Sequence, residues 1–317
     1  MLSSTRPVRF DKSSIMNIDV IIATYNRADY LEKALKSLLD AGREPGFDYS
    51  ITVVDNNSND STRDVVKELA EHSGGRVRYL FEPRQGKSFA LNTGIANTAA
   101  EIIAFTDDDQ LVDDEWLCAI HRVFTDGYDY ATGPVYGDWE IPPPRWYDDR
   151  LRGPVSLVDG GDQRIQHDDT AAHHGFSGGN GAVLRRALEK TGVFNTDLGG
   201  FAETLGLCED SEFYLRLRAA KFHGVYEPRM KVFHRIPAAR LTRSYFRKWY
   251  RSYGASMSVM NRLHSLPAPR IFGMPRFLIR KTLESFPRWF ASMLKGDLPG
   301  AFEQELNLWF FAGYWKK

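Results

Sequence analysis

Apolar residues in the first third of the chain come in short dense bursts, each followed by a stretch of helical period. Asp19 to Thr24 (DVIIAT) is a continuous run rich in β-branched residues, which predicts a buried strand. Leu31, Leu35, Leu38 and Leu39 follow at helical spacing and predict an amphipathic helix. Ile51 to Asp55 (ITVVD) reads as a second strand. After it, Asp60 or Ser61 can cap a helix carrying Val65, Val66 and Leu69. Arg76 to Phe81 reads as a third strand, Ser88 to Ala99 as a helix and Glu101 to Thr106 as a fourth strand. Strands alternating with helices predict an α/β layer around a largely parallel sheet.

The regular pattern stops between residues 137 and 174. Pro142, Pro143 and Pro144 bar both helix and central strand, and such long irregular segments are commonly functional loops. Trp139, Trp146 and Tyr147 in this stretch can either stack on a ligand or anchor the loop in a core. Past residue 235 the chain mixes cations with aromatics. Tyr245, Trp249 and Tyr253 recur every four residues, as one stripe of a helix.

Composition narrows the class. The 317 residues are 43% hydrophobic and 26% charged, which fits a globular protein and excludes collagen-like or wholly disordered chains. Two cysteines, Cys118 and Cys208, exclude a disulfide scaffold and a four-cysteine zinc site. No apolar run is long enough for a membrane-spanning helix, and the N-terminal leader (1–17) lacks an apolar signal core. The expected location is therefore cytoplasmic.

Net charge is zero, but it is unevenly distributed. Residues 1–234 carry net −11 and residues 235–295 net +12, which places an expected boundary near 235. A basic aromatic helical region over 236–317 suits the anionic inner face of a cell membrane, or packing on the acidic remainder of the chain. No nucleic-acid-binding module is recognisable, so none is expected as a partner.

In α/β sheets, ligands bind beyond the carboxyl ends of the strands. Three predicted strand ends are polar there: Thr24-Tyr25-Asn26-Arg27, Asp55-Asn56-Asn57 and Asp107-Asp108-Asp109. Asp107 and Asp109 share one side of an extended chain and suit Mg²⁺ or Mn²⁺; a solvated acidic turn would give the same pattern. Glu209 and Asp210 open a predicted helix, where a carboxylate is a general base or an ordinary cap. His234 ends an apolar KVFH run and can complete an oxygen-rich metal site or serve as a structural histidine. Gly178 and Gly179 lie in a glycine-rich segment that permits close backbone approach to a ligand. Lys87 can meet a phosphate as a point charge; its QGKS context lacks the upstream glycine of an NTPase loop. His173 and His174 are candidate acceptor contacts.

In their joint order, VIIATYNRADYLEKALKSL, ITVVDNNSNDST, QGKSFALNTGIANTAAEIIAFTDDD, GGNGAVLRRA, EDSEFYLRL and the final His of KVFH resemble the family 2 glycosyltransferases. The resemblance runs from Asp19 to His234. It implies a GT-A-type, Rossmann-like mixed sheet flanked by helices over 18–235, with a nucleotide-sugar half (18–110) and an acceptor half (111–235). A mainly helical extension follows. It also implies an inverting, metal-dependent transfer from a nucleotide-sugar, of the UDP-sugar class, to a glycan or lipid-linked acceptor, in polysaccharide biosynthesis. Thr24, Tyr25, Asn26, Arg27 and Asp55 match nucleoside-holding positions. Asp107 and Asp109 match the DxD motif, with Asp109 on the metal (Mn²⁺ or Mg²⁺) and Asp107 at the ribose or on the metal through water. Asp108 can replace either neighbour. Asp210 matches the catalytic base, with Glu209 beside it, and His234 matches a histidine that meets metal or diphosphate. The other readings are a sugar-phosphate nucleotidyltransferase, whose glycine- and arginine-rich first loop is missing here, and a nucleotide-sugar-binding protein without catalysis.

Overall fold

The structure, a computed structural model, describes residues 16–42, 46–167, 175–198, 207–264, 269–271 and 274–315. His173, His174, most of the leader and the two terminal lysines lie outside the described residues. The chain divides into two compact units. The first takes Met1–Tyr136, Val158–Thr196 and Asp210–His234; the second takes Gly137–Leu157, Asp197–Glu209 and Arg235–Lys317.

The first unit opens with β1 (Ile18–Thr24), α1 (Ala28–Ala41), β2 (Tyr49–Asp55), α2 (Thr62–His72), β3 (Val77–Phe81), α3 (Lys87–Ala96) and β4 (Ile102–Thr106). Next come β5 (Gln110–Val112), α4 (Trp116–Thr125), β6 (Tyr130–Thr132) and β7 (Val135–Trp139), the last running into the second unit. Later segments supply β8 (Ile165–Gln166), β9 (Asn180–Leu184), α5 (Arg185–Thr191), α6 (Glu209–Ala219), β10 (Gly224–Tyr226) and β11 (Val232–Ile236).

Among the described residues, eight strands form one sheet in the order β3-β2-β1-β4-β9-β6-β10-β8. β3, β2, β1 and β4 run parallel, whereas β9 is antiparallel to both β4 and β6. The sheet is therefore mixed rather than largely parallel, because the glycine-rich strand enters against β4. β5, β11 and β7 make a separate three-stranded sheet.

β1 and β2 are buried along nearly their whole length, as their unbroken apolar runs require. Ile21, Val54, Phe105, Tyr130, Phe176, Phe194 and Phe213 join one core cluster. Burying each such side chain stabilises by about 1.5–3 kcal/mol. Gly94 lets α3 settle on β1: a Cβ there would meet Ile21 Cγ2 at 2.6 Å. α3 ends at Ala96, not Ala99 as the pattern predicts, with Asn97 as its C-cap. At α2 the helix start is served by Asp60, whose Oδ1 accepts from the Thr62 amide at 3.0 Å; Ser61 makes no side-chain cap bond.

A polar cluster lies at the amino end of the parallel strands. Asp19 is fully buried and accepts from Ser50 Oγ (2.9 Å), Thr52 Oγ1 (2.9 Å) and Arg78 Nη2 (2.8 Å). One carboxylate thereby bonds side chains of β2 and β3 while standing on β1.

The second unit holds α7 (Arg243–His264), α8 (Arg276–Leu294) and α9 (Leu298–Trp315), with described 3₁₀ turns at Asp149–Leu151, Gly153–Val155 and Ala238–Arg240. Its core contains Leu151, Val155, Ile236, Phe246, Phe302 and Leu306. Trp146 packs edge-on against Phe246 (5.1 Å) and Phe302 (5.0 Å), and Trp139 against Tyr147 (5.3 Å). These three aromatics, each partly buried, pack against that core and anchor the irregular segment. No described helix is long and apolar enough to cross a membrane.

Candidate functional site

Strand register brings the polar ends together. Thr24 lies opposite Asp55, Asp55 opposite Phe81, and Thr106 opposite Asn180. Beyond these ends the three aspartates form the turn between β4 and β5. Asp107 Oδ1 accepts from Lys87 Nζ at 2.5 Å. Asp108 is buried and accepts from Thr24 Oγ1 (2.8 Å) and Arg27 Nη1 (2.9 Å). Asp109 Oδ2 accepts from the same Arg27 nitrogen (3.0 Å) and lies 3.5 Å from His234 Nε2.

Electrostatics follow from this packing. Burial above all raises the Asp108 carboxyl above the usual carboxylate range; Arg27 opposes the rise and the Asp109 carboxylate adds to it. Burial lowers the basicity of Arg27, but Asp108 and Asp109 together outweigh it, so its charged form is held more firmly.

Gln110 holds the turn from behind. Its Oε1 accepts from Thr106 Oγ1 (3.0 Å) and from the Asp107 amide (3.3 Å). Pairing of β11 with β5 sets His234 opposite Gln110, which is why a residue so distant in sequence reaches Asp109.

The nucleoside candidates cluster at the ends of β1 and β2. Asp55 accepts from the Ser58 amide (2.8 Å) and from Tyr79 Oη (2.7 Å). Burial, then the bond to Asp55, pushes the Tyr79 hydroxyl up to about 12, so Tyr79 stays a donor. Asn26 adopts a left-handed φ of 53° and exchanges bonds with Ser58 Oγ (2.9 Å) and the Asn59 amide (2.8 Å). Tyr25 is exposed beside it. Asn56 organises the neighbouring loop: its Nδ2 donates to the carbonyls of Glu82 (3.1 Å) and Arg84 (2.6 Å), and its Oδ1 accepts from the Gly86 amide (2.7 Å). That fixes the start of α3, and with it Lys87.

Gly178 and Gly179 connect this turn to α6. The Gly178 amide donates to Asp210 Oδ2 at 3.4 Å. A Cβ on Gly179 would stand 2.7 Å from Asp107 Oδ2 and 2.9 Å from Gln110 Nε2. Asp210 also accepts from the Ser211 amide at 2.6 Å. Glu209, the first residue of α6, is buried and belongs to the second unit.

Thus Thr24, Arg27, Lys87, Asp107, Asp108, Asp109, Gly178, Gly179, Asp210 and His234 form a connected set within the first unit. Asn26 and Asp55 stand at the adjoining strand ends. Sequence reasoning did not single out Gln110 or Asn180, and it gave Asn56 only as part of a polar strand end. Asn180 is fully buried: its Nδ2 donates to the Pro134 (2.8 Å) and Met230 (2.6 Å) carbonyls and its Oδ1 accepts from Trp116 Nε1 (2.9 Å). An asparagine between glycines, ahead of an apolar strand, was the available signal for it.

Among the described residues no three His, Cys, Asp or Glu side chains converge on one point. Asp109 and His234 supply an oxygen and a nitrogen 3.5 Å apart. Cis ligands at about 2.1 Å from one ion stand roughly 3 Å apart, so this pair fits a cation that takes its other ligands from phosphate and water.

The profile of glycosyl transferase family 2 matches residues 19–192, more than half the chain. A glycosyltransferase of Nostoc sp. is 37% identical over 34% of this chain and 33% of its own length. A Campylobacter jejuni protein named GalNAc(5)-diNAcBac-PP-undecaprenol beta-1,3-glucosyltransferase is 28% identical over 62% of each chain. The chain thus spans from a third to about three-fifths of these two relatives. A mannosyltransferase of Pyrobaculum calidifontis, solved with GDP-Man and Mn²⁺, superposes with a TM-score of 0.60 over 96% of this chain and 87% of its own, at 17% identity. At that identity the likeness bears on the fold, which is GT-A. With matched profile, fold and converging strand ends in agreement, the chain belongs to glycosyl transferase family 2.

Proposed function

We propose that the protein moves a sugar, with inversion, from a nucleotide-sugar to a hydroxyl of a glycan or lipid-linked acceptor. The UDP-sugar class of donor rests on family resemblance. The acceptor class follows the name of the Campylobacter relative, an undecaprenol-linked glycan glucosyltransferase. The observation that supports the reading is the Gly178-Gly179 pair. It sets Asp210, bonded at 3.4 Å, two backbone steps from the aspartate turn.

Thr24, Tyr25, Asn26, Arg27 and Asp55 surround the nucleoside, and Lys87 offers its charge to the diphosphate. Asp109 and His234 would hold Mn²⁺ or Mg²⁺, with Asp107 and Asp108 in the same turn. Such an ion, when bound, supplies Lewis-acid stabilisation of the charge developing on the leaving diphosphate. Arg27 orients Asp108 and Asp109 through bonds of 2.9 and 3.0 Å. Asp210 takes the proton from the acceptor hydroxyl while that oxygen attacks the anomeric carbon opposite the leaving group. One displacement of this kind inverts the anomeric centre. Glu209 begins the same helix, next to Asp210 in the chain.

The test is Asp210→Asn, read by sugar transfer and by donor binding. Transfer should fall by at least about a hundredfold, the scale of a lost general base, with donor affinity nearly unchanged. Exhaustive chelation should also stop the wild-type enzyme, and Mn²⁺ or Mg²⁺ should restore it. Wild-type turnover in Asp210→Asn removes the base assignment, and full activity after chelation removes the ion.

A further inference from the structure

The outward side of α8 is apolar. The helix packs on α9 through a narrow face, with Leu278 and Ser285 buried; Ser285 Oγ accepts from Asn307 Nδ2 at 3.1 Å. Leu283, Phe286, Phe290 and Leu294, three or four residues apart, share a different stripe. They are 72%, 72%, 56% and 74% exposed. Trp289 and Met293 border the stripe and are exposed as well. On α9, Leu308 and Trp315 are exposed, and Phe311 stacks on Trp315.

Cations share the remaining α8 surface with the exposed Phe277. Arg276, Arg280, Lys281, Arg288 and Lys295 are exposed. Glu284 is the single acid from 276 to 295, and it accepts from Arg280 Nε and Arg288 Nη2, each at 2.7 Å. A large apolar patch rimmed by polar groups marks an interaction surface. Flanked by a basic arc, with a tryptophan at the margin, it has the character of a helix that lies in a membrane interface. A second copy of the chain fits less well, since apposing two such helices brings their basic arcs together.

The sequence pattern directs attention to another stripe, Tyr245-Trp249-Tyr253 on α7. Those rings are engaged within the second unit: Trp249 stacks toward Tyr253 (5.0 Å), and Tyr253 packs on Phe310 (5.2 Å).

We infer that α8 is a docking surface for an anionic bilayer. Leu283, Phe286, Phe290 and Leu294 enter the acyl boundary, and Arg280, Lys281, Arg288 and Lys295 meet headgroup phosphates. The inference does not depend on sugar transfer, and its test contains neither donor nor acceptor.

The test is flotation of the full chain with vesicles of phosphatidylcholine alone and of phosphatidylcholine mixed with phosphatidylglycerol. The protein should float with the anionic vesicles at low salt and be largely released at high salt. Leu283→Ser with Phe290→Ser should weaken binding by at least about tenfold. Lys281→Glu with Lys295→Glu should weaken binding to anionic vesicles by about tenfold. The altered positions are exposed, so both variants should keep the wild-type circular dichroism and melting temperature. Failure of the wild type to float, or unchanged flotation of the variants, overturns the inference. So does a lipid-free dimer in sedimentation velocity that Leu283→Ser with Phe290→Ser abolishes, because that assigns the face to a second copy.

Discussion

Asp107, Asp108 and Asp109 follow one another in the chain and meet different partners: Lys87, then Thr24 with Arg27, then Arg27 with His234. The sequence left Asp108 able to stand in for either neighbour. A three-residue turn between β4 and β5, each held in its own sheet, leaves little slack, so each carboxylate has its own surroundings. Gly179 shows the same tightness. Alanine there places a methyl 2.7 Å from Asp107 Oδ2 and 2.9 Å from Gln110 Nε2, both side chains already committed to bonds. Gly179→Ala should lower stability by about 1–3 kcal/mol in thermal melts and weaken donor binding. Gly178→Ala, whose Cβ meets Asp210 Cβ at an ordinary 3.7 Å, should change stability by less than about 1 kcal/mol. Equal effects at the two glycines would refute the close-approach argument.

At the scale of elements, local pattern was a good guide where burial is continuous. β1 to β4 lie within two residues of the apolar runs DVIIAT, ITVVD, RVRYLF and EIIAFT. α1 and α2 carry their leucines and valines where the period puts them. The irregular stretch was less legible. Trp146 and Tyr147 owe their places to Phe246 and Phe302, about a hundred or more positions later, and no local period encodes such contacts. This element-level anchoring makes a prediction. Trp146→Ala should destabilise the protein by about 2 kcal/mol in denaturant melts, less than a fully buried tryptophan because its ring is partly exposed. Donor binding, measured well below the melting transition, should hold. A parallel loss of donor affinity would give the residue a role in the site.

For the whole molecule, the connected site was legible because polar residues ended apolar strands, which needs no tertiary information. The links between them were not. His234 reaches Asp109 only through the β5–β11 pairing, and Asp210 reaches the glycines through the placement of α6. The C-terminal charge excess was visible in composition, yet which aromatics face water depended on how α7, α8 and α9 pack.

The buried Asp19 cluster bears on how the molecule is assembled. β1 and β2 are buried on nearly all sides, so their apolar residues hardly distinguish one alignment from another two positions along. Asp19, bonded to Ser50, Thr52 and Arg78, is satisfied in a single alignment. Replacing such a group together with its partners by apolar residues is often neutral or stabilising. The quadruple substitution Asp19→Val, Ser50→Ala, Thr52→Val and Arg78→Leu should therefore melt no lower than the wild type. It should nonetheless refold into more than one species, with doubled amide resonances across Ile18–Thr24 in heteronuclear NMR spectra; a single set would place the alignment signal elsewhere. On this view Asp19 governs the fidelity of folding more than its strength, and the meeting of Thr24 with Asp55 at the far end of the strands is inherited from that choice.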